Sequence, residues 1–211
     1  MHTGLEETKN GYTKMAAYLG ERAAGGAGLI VTGGIAPNRE GWVKPFSARM
    51  SKSSHAKKHR VITDRVHEYE SKICMQILHA GRYAYHPFNV APSAIKAPIT
   101  PFKPREMSES SIKSTIADFA KSAALSREAG YDGVEIMGSE GYLINEFISA
   151  QTNRREDGWG GSYDNRIRFP LEIVRETRKQ VGDDFILIFR LSMLDLVPKG
   201  SDWQEIVLLA K

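Results

Sequence analysis

Four short, almost continuous apolar runs recur along this chain. They cover residues 28–32, 72–78, 131–137 and 184–191. Runs of this kind are typical of parallel strands that are covered on both faces. Parallel neighbours need a long crossover connection, and the stretches between the runs are long enough to hold helices. The pattern therefore predicts repeated strand–helix–strand units and an α/β fold.

Amphipathic segments between the runs predict helices over residues 13–24, 56–70, 111–129 and 165–181. The third of these helices begins after a serine-rich N-cap region, residues 108–111, and is expected to end at Gly130. A further helix is expected to start within residues 201–211, after the last strand. The units follow one another without linkers, so we expect residues 1–211 to form one domain.

Repeated parallel units fit either an open doubly wound sheet or a closed eight-stranded barrel. The sequence after the first strand, GGIAPNREG, lacks the GxGxxG pattern of a dinucleotide-binding open sheet. Polar side chains also lie inside three apolar strands, at Gln76, Glu135 and Arg190. Because isolated buried charges are costly, we expect these side chains to converge on a site at the carboxyl end of a barrel.

Composition excludes several classes of protein. The 211 residues are 41% hydrophobic and 26% charged, as in ordinary globular domains, and contain no membrane-spanning apolar run. The first residues, MHTGLEETKN, do not resemble a secretory signal, so we expect a cytoplasmic protein without a membrane partner. Cys74 is the single cysteine, which excludes a disulfide framework or a four-cysteine cluster, and we predict no metal site.

The net charge of +4 is modest, although one basic cluster stands out. The cluster has two interpretations: a solvated helix start, or a site for phosphate or nucleic acid. We favour the first, because basic residues alone report charge and not a site, and we expect no nucleic-acid partner. The cluster comprises Lys52, Lys57, Lys58 and Arg60 beside His55 and His59.

The most specific segment is residues 131–169, YDGVEIMGSEGYLINEFISAQTNRREDGWGGSYDNRIRF. It has the pattern of a buried strand, a tyrosine-bearing turn, a long polar loop and the start of a helix. This segment closely resembles the middle of the Old Yellow Enzyme family of FMN-dependent enoate reductases. Within that family, SEGYLINEF resembles the bacterial 2,4-dienoyl-CoA reductases at the position of their proton donor.

The resemblance extends over essentially the whole chain and implies a TIM (β/α)8 barrel. A complete barrel has eight strands, whereas four are visible here. In the resemblance, residues 1–4 correspond to the loop after the first barrel strand. We therefore expect a partial barrel, with parallel strands two to five and their helices, and interpret the chain as a fragment of a longer protein or a truncated gene product.

The resemblance assigns the catalytic acid to Tyr142, within EGYLINEF. A phenol is protonated at neutral pH, so it can donate a proton to a developing carbanion. In the family, reduced FMN delivers hydride to an electron-poor alkene and a tyrosine at this position supplies the proton. Spacing alone favours a tyrosine that packs at a strand end; the surrounding match favours catalysis.

The resemblance also implies a flavin site. Gln76 matches an amide that hydrogen-bonds the flavin pyrimidine ring, and a glutamine offers both a donor and an acceptor. Arg190 matches a cation that stabilises the reduced flavin. Gly34 matches a small residue at a close backbone approach, and Met1 and His2 match the flavin-contacting turn after the first barrel strand.

Two of these residues have structural alternatives. Gln76 alone is more often a satisfied core amide, and Arg190 alone fits a structural salt bridge with Glu135. His79 is equally consistent with a structural anchor and with a role in the site. The arginine- and aspartate-rich loop at residues 153–169 favours a rigid, salt-bridged structure that leads into a helix.

Departures from the family narrow the expected substrate. Many members carry a histidine pair, or histidine and asparagine, that polarises a substrate carbonyl, but Met137 and Glu140 occupy those positions here. This favours the dienoyl-CoA branch, which is similar at both positions. Glu140, Arg82 and Gln151 are the candidate substrate contacts; Arg82 is alternatively a contact to a neighbouring subunit, and Gln151 replaces an arginine of the relatives.

The expected activity is thus FMN-dependent reduction of an enoyl or dienoyl thioester with NADPH as electron donor. The resemblance implies an iron–sulfur cluster and a second flavin, FAD, only in parts of the longer relatives that this chain lacks. Other Old Yellow Enzyme-type enone reduction and amine dehydrogenation are alternatives within the family. A different alternative is that the chain is a non-catalytic half-barrel that pairs with another chain, because an open barrel has unpaired strand edges. We also expect the chain alone to retain FMN only weakly.

Overall fold

A computed structural model describes residues 3–198 and 200–211. Two short 3-10 turns, η1 at Leu5–Glu7 and η2 at Gly81–Tyr83, accompany the regular elements. The helices are α1 Gly11–Ala24, α2 Ser53–His67, α3 Glu109–Glu128, α4 Leu143–Ile148, α5 Tyr163–Val181 and α6 Trp203–Ala210. The strands are β1 Leu29–Ile35, β2 Lys72–Ile77, β3 Val90–Ala91, β4 Arg105–Glu106, β5 Gly133–Gly138 and β6 Ile186–Leu191.

The main sheet has four parallel strands in the order β1-β2-β5-β6. These strands overlap the four apolar runs, and α1, α2, α3 and α5 overlap the four amphipathic segments, so the α/β prediction is confirmed. Boundaries differ by a few residues. The largest differences, of three residues, are at β1, which continues to Ile35, and at α2, which begins at Ser53 and ends at His67.

The two faces of the sheet have different chemistry. Ile73, Met75 and Ile77 alternate along β2 and are fully buried in one apolar cluster with residues of α1, α2, α3 and α5. Because neighbouring residues of a strand point to opposite faces, Cys74 and Gln76 lie on the other face. Burial is the main cause that raises the pKa of the Cys74 thiol to about 11, so the thiol is protonated and unreactive.

The ends of α3 follow the predicted signals. The Ser108 hydroxyl accepts a hydrogen bond from the Ser111 backbone N–H at 3.2 Å, as an N-cap does. Gly130 follows the last turn with φ of +88°, the left-handed backbone that glycine tolerates.

Sequence patterns missed two elements. The segment expected to be a polar loop after Tyr142 contains α4, a short helix whose residues are all buried. A second sheet, formed by β3 and β4, pairs two residues on each strand, which is too short for a periodic signal. Both elements depend on tertiary contacts rather than on local propensity.

The loop at residues 153–162 is held by side chains, as predicted. The Asn153 amide donates to the Phe147 and Trp159 carbonyls, both at 2.8 Å. Arg155 forms a salt bridge with Asp157 and also donates to the Met107 carbonyl at 2.6 Å. A salt-bridged loop leading into α5 is therefore confirmed.

The basic cluster lies along α2. Lys57, Lys58 and Arg60 are exposed, as expected for a solvated helix start, whereas His59 is buried. The His59 Nδ1 atom lies 2.8 Å from the Tyr131 hydroxyl, so this histidine belongs to the core. Among the helices of residues 3–198 and 200–211, none has the length and apolar character needed to span a membrane.

Stacking of Phe147 on Phe169 joins α4 to α5, with ring centroids 4.2 Å apart and both side chains fully buried. We expect Phe169→Ala to lower the free energy of unfolding by about 3–5 kcal/mol, through lost apolar burial and a residual cavity. Urea denaturation followed by circular dichroism measures the change. Phe46→Ala is the control: its side chain is 87% exposed, and its effect should stay within about 0.5 kcal/mol.

Candidate active site

A cavity of about 220 Å³ lies at the carboxyl ends of the four parallel strands. Five of the candidate flavin, catalytic and substrate residues line it together: Gly34, Gln76, Glu140, Tyr142 and Arg190. They come from β1, β2, β6 and the turn after β5, and residues more than a hundred positions apart therefore meet at one place. This convergence agrees with the expectation of a site at the carboxyl edge of the sheet.

Gln76 lines this cavity and is oriented by its neighbours on the sheet. Its side-chain amide donates to the Glu135 Oε1 atom at 2.6 Å, and its backbone N–H donates to the Thr32 hydroxyl at 3.1 Å. The donated hydrogen bond fixes the orientation of the amide and leaves its carbonyl oxygen as an acceptor. An added Cβ at Gly34 would lie 3.2 Å from that oxygen and 2.7 Å from the Leu78 side chain. A small residue at Gly34 is therefore needed by the strand packing itself.

Arg190 is paired with a different acid from the one suggested by the sequence. Its guanidinium donates to Glu140 Oε1 at 2.7 Å, so the suggested bridge to Glu135 is wrong. Glu135 instead accepts from Gln76. The Arg190 and Glu140 side chains are 49% and 51% exposed, and half-exposed pairs of this kind contribute little stability.

Tyr142 is presented by a left-handed turn. Glu140 and Gly141 have φ of +64° and +79°, and Tyr142 then caps the start of α4. The Gly141 N–H donates to the Asn145 side chain at 2.7 Å, which fixes the turn to α4. Burial raises the pKa of Tyr142, and the nearby Glu140 and Tyr83 add to the shift, so the phenol keeps its proton through the neutral range.

A second cavity, of about 340 Å³, adjoins the first. The two share Glu140, and the Tyr83 ring meets the Tyr142 ring edge-on at 6.0 Å between centroids. All three candidate substrate contacts, Arg82, Glu140 and Gln151, line this second cavity.

Sequence reasoning missed Glu146, which also lines the second cavity and is fully buried in α4. Its Oε1 atom accepts a hydrogen bond from the Arg82 backbone N–H at 2.9 Å. Burial raises the pKa of this carboxyl well above its usual range, although the Arg82 N–H and guanidinium oppose the shift. An acid inside the mostly apolar segment LINEFI was the available signal.

His79 lies behind the cavities rather than in them. It is buried, its Nδ1 atom accepts from the Gly81 N–H at 3.2 Å, and its carbonyl accepts from the Leu143 N–H at 3.0 Å. Burial lowers the pKa of the imidazole to about 3, so the ring is neutral. These contacts favour the structural-anchor interpretation. Met1 and His2 lie outside the described residues.

The polar side chains that line the first cavity fit a flavin ring. The Gln76 amide supplies an acceptor of fixed orientation, and Arg190 supplies a cation held by a weak, half-exposed pair. An isoalloxazine ring has both hydrogen-bonding edges and gains negative charge on reduction. The chemistry of these side chains therefore suits the cofactor expected from the sequence.

Comparison with known proteins identifies the class. A family model described as "NADH:flavin oxidoreductase / NADH oxidase family" matches residues 1–211. The NADPH dehydrogenase of Bacillus subtilis is 39% identical over 198 residues, which cover 93% of this chain and 58% of that protein. The N,N-dimethylglycine/sarcosine dehydrogenase of Chromohalobacter salexigens is 34% identical over 210 residues, covering 94% of this chain and 30% of that protein.

Among solved structures, a 2-naphthoyl-CoA reductase in complex with 2-naphthoyl-CoA superposes with a TM-score of 0.88 at 33% identity. The superposition covers 93% of this chain and 32% of that one. The fold is thus part of a TIM barrel of the Old Yellow Enzyme type, and the partial-barrel prediction is confirmed. The chain belongs to the NADH:flavin oxidoreductase / NADH oxidase family. It spans about a third to somewhat over half of the length of these relatives.

The contact of Gly81 with Glu146 is open to a direct test. Gly81 has φ of +58°, and an added Cβ there would overlap the Glu146 carboxyl. Gly26 has φ of +91° with open space around it, so it isolates the backbone cost. We expect Gly81→Ala to reduce the free energy of unfolding by at least about 1 kcal/mol more than Gly26→Ala, through overpacking. Equal losses in urea denaturation would contradict the proposed close packing.

Glu146→Gln tests the buried carboxyl. In the wild-type chain, the unfolded state loses this proton at an ordinary glutamate pKa, whereas the folded state holds it to a higher pH. The free energy of unfolding of the wild type therefore decreases as the pH rises from the pKa of the unfolded state to that of the folded state. Glu146→Gln has no proton to lose at this position, so this decrease is absent in the variant. We expect the stability of Glu146→Gln relative to wild type to be greater at about pH 8 than at about pH 4. Exposed Glu128→Gln is the matched control and should show a smaller pH dependence; the opposite order in urea titrations would refute the assignment.

Proposed function

We propose that this chain carries part of the active site of an FMN-dependent oxidoreductase that reduces an activated C=C bond with NADPH as electron donor. The observation that carries the proposal is the meeting of Gln76, Tyr142 and Arg190 at one cavity. These residues supply, in one place, an oriented amide, a protonated phenol and a cation. Membership of the flavin oxidoreductase family supports the same chemistry.

Bound FMN would supply hydride to the electron-poor carbon of the alkene. For the protein's own residues, the Gln76 amide would bind the polar edge of the ring in the orientation fixed by Glu135. Arg190 would stabilise negative charge on the reduced ring. Among the described residues its guanidinium pairs with the half-exposed Glu140 alone, so little energy is needed to redirect it.

Tyr142 would complete the reduction as the general acid. Addition of hydride at one alkene carbon leaves an electron pair on the conjugated system, and the Tyr142 hydroxyl would give its proton to that carbanion. Burial keeps the phenol protonated, as this step requires. The left-handed turn at Glu140 and Gly141 would position the hydroxyl at the mouth of the cavity.

We propose a dienoyl-CoA thioester as the substrate. At Met137 and Glu140 the site lacks the histidine-type pair that polarises simple ketones, whereas a thioester-conjugated diene is already activated. The structural relative with bound 2-naphthoyl-CoA supports an unsaturated acyl-CoA. Arg82 and Gln151, in the adjoining cavity, would contact the part of the substrate beyond the alkene.

Amine oxidation is the second candidate, because a relative of comparable identity is an N,N-dimethylglycine/sarcosine dehydrogenase. The Glu140 carboxylate at the site would attract a cationic amine. Turnover of flavin-loaded protein with a dienoyl-CoA, a simple enone and dimethylglycine separates the two reactions from each other and from enone reduction.

Tyr142→Phe removes the proposed proton donor and leaves the ring in place. We expect the rate of dienoyl-CoA reduction to fall by about a hundredfold or more, since a positioned general acid contributes that much. Tyr69→Phe, at the end of α2 and away from both cavities, is the matched control and should retain the wild-type rate. Stopped-flow reoxidation of the flavin by substrate measures both variants.

The same preparation tests whether the chain binds flavin at all. Because we expect the isolated chain to retain FMN only weakly, gel filtration is run in buffer that contains FMN, where we expect equal flavin occupancy in wild type and Tyr142→Phe. Full flavin occupancy together with a wild-type rate of reduction in Tyr142→Phe would show that Tyr142 is not the general acid. Loss of flavin from both proteins would favour the non-catalytic half-barrel.

A further inference from the structure

We propose that the second cavity binds the uncharged, amide-bearing arm of a thioester substrate, with Arg82 and Glu146 as hydrogen-bond donors to an amide oxygen. The inference rests on the proposed function, because it assigns the part of the substrate beyond the reacting alkene. It adds Glu146 and the segment at residues 194–197 to the site and specifies the chemistry of the chain that they would bind.

Two buried polar atoms point to a ligand. Neither Arg82 Nε nor Glu146 Oε2 has a hydrogen-bond partner among the described residues, and both side chains line the cavity. Glu146 is 1% exposed. Burying such groups without partners is costly, so a bound group that satisfies them contributes to affinity.

Both atoms are donors. The Arg82 Nε atom carries a hydrogen and has no acceptor capacity. In Glu146, the Oε1 atom already accepts from the Arg82 N–H, so the proton of the neutral acid belongs on Oε2. Two donors without partners select an acceptor such as an amide or ester carbonyl oxygen, and a ligand that brought only donors would leave them unsatisfied.

Part of the cavity lining is apolar. Leu194, Leu196 and Val197 line it and are 75%, 92% and 49% exposed. Large exposed apolar side chains in one segment mark a binding surface. The cavity therefore combines apolar side chains that can contact methylene groups with donors that can bind carbonyl oxygens, which matches a chain of methylene groups that contains amides.

Charge in the cavity argues against a phosphate-bearing group as the occupant. The charged and titratable groups that line it are Arg82, Tyr83, Glu140, Glu146 and Asp195. Arg82 is the one cation among these described lining residues, and Glu140 and Asp195 are carboxylates. A polyphosphate would meet net repulsion here, whereas a neutral amide chain would not.

The position of the cavity fits an arm attached to a reacting acyl group. Glu140 lines both cavities, and the Tyr83 ring contacts both the Arg82 guanidinium, 5.6 Å from its centroid, and the Tyr142 ring. A substrate with its alkene beside Tyr142 would therefore extend past Glu140 into the second cavity. The pantetheine arm of coenzyme A, a neutral chain with two amides, has this chemistry.

Calorimetric titration of the full 211-residue chain with S-propyl-pantetheine tests the proposal without any alkene or flavin. We expect one-to-one binding that weakens about tenfold or more in Arg82→Met, because a hydrogen bond from a charged donor is lost. Glu146→Gln keeps an N–H donor and should bind within about threefold of wild type. Arg127→Met, whose salt bridge with Asp184 lies on another surface, is the matched control and should bind normally.

Leu196→Ser tests the apolar contact with little expected effect on stability, because this side chain is almost fully exposed. We expect it to weaken binding about three- to tenfold through lost apolar contact. Absence of binding to wild type, or equal weakening in Arg127→Met, would overturn the proposal. Pantothenate, an analogous amide chain that ends in a carboxylate, should bind no more tightly; tenfold tighter binding would make the cavity an anion site instead.

The experiments test the proposed subsite and the proposed reaction independently. If S-propyl-pantetheine binds as expected but flavin-loaded protein does not reduce a dienoyl-CoA, the proposed reaction is wrong and the subsite stands. If the dienoyl-CoA is reduced with a KM that Arg82→Met and Leu196→Ser leave unchanged, the subsite is wrong and the reaction stands.

Discussion

The register of four parallel strands is the constraint on which the candidate site depends. Gly34 pairs with Gln76, and Gln76 pairs with Glu135, on adjacent strands. Two residues further towards the carboxyl ends, Met137 pairs with Arg190. A slip of one residue in any strand would turn its polar side chain to the opposite face, into the apolar cluster under the helices. The fully buried residues on that face therefore fix the geometry of the cavity, although none of them lines it.

A second constraint joins the two loops that complete the site. The turn η2 presents Arg82 and Tyr83, and α4 follows Tyr142; Glu146 connects them by accepting the Arg82 N–H. Gly81 has the left-handed backbone and lacks the Cβ that would meet this carboxyl. The position of Tyr83 against Tyr142 is thus set by a buried acid one helical turn beyond the proposed proton donor. The placement of this donor depends on packing between loops as well as on the sheet.

The sequence predicted the strands and long helices because apolar runs and amphipathic periods are local signals. It also predicted that Gln76, Glu135 and Arg190 would converge at one edge of the sheet, since polar residues near the ends of parallel strands meet there, whereas the role of Tyr142 came from the family resemblance. It did not predict the partner of Arg190, because either Glu135 or Glu140 was within reach and only the fold decides between them. The helix α4 was missed for a related reason: its six residues are too few for a period, and it is stabilised by burial.

Glu140 gives the two cavities a common electrostatic element. Its side chain lines both cavities and pairs with Arg190, and both side chains of the pair are half-exposed. Its backbone is left-handed, which costs a non-glycine residue roughly 1–2 kcal/mol. Its N–H donates to the Ser192 hydroxyl at 3.2 Å, which ties the turn to the end of β6. Since a half-exposed pair is worth at most about 1 kcal/mol, a ligand in the first cavity that attracts Arg190 would release the Glu140 carboxylate at little cost. Because Glu140 also lines the second cavity, its charge acts on the ligands of both cavities.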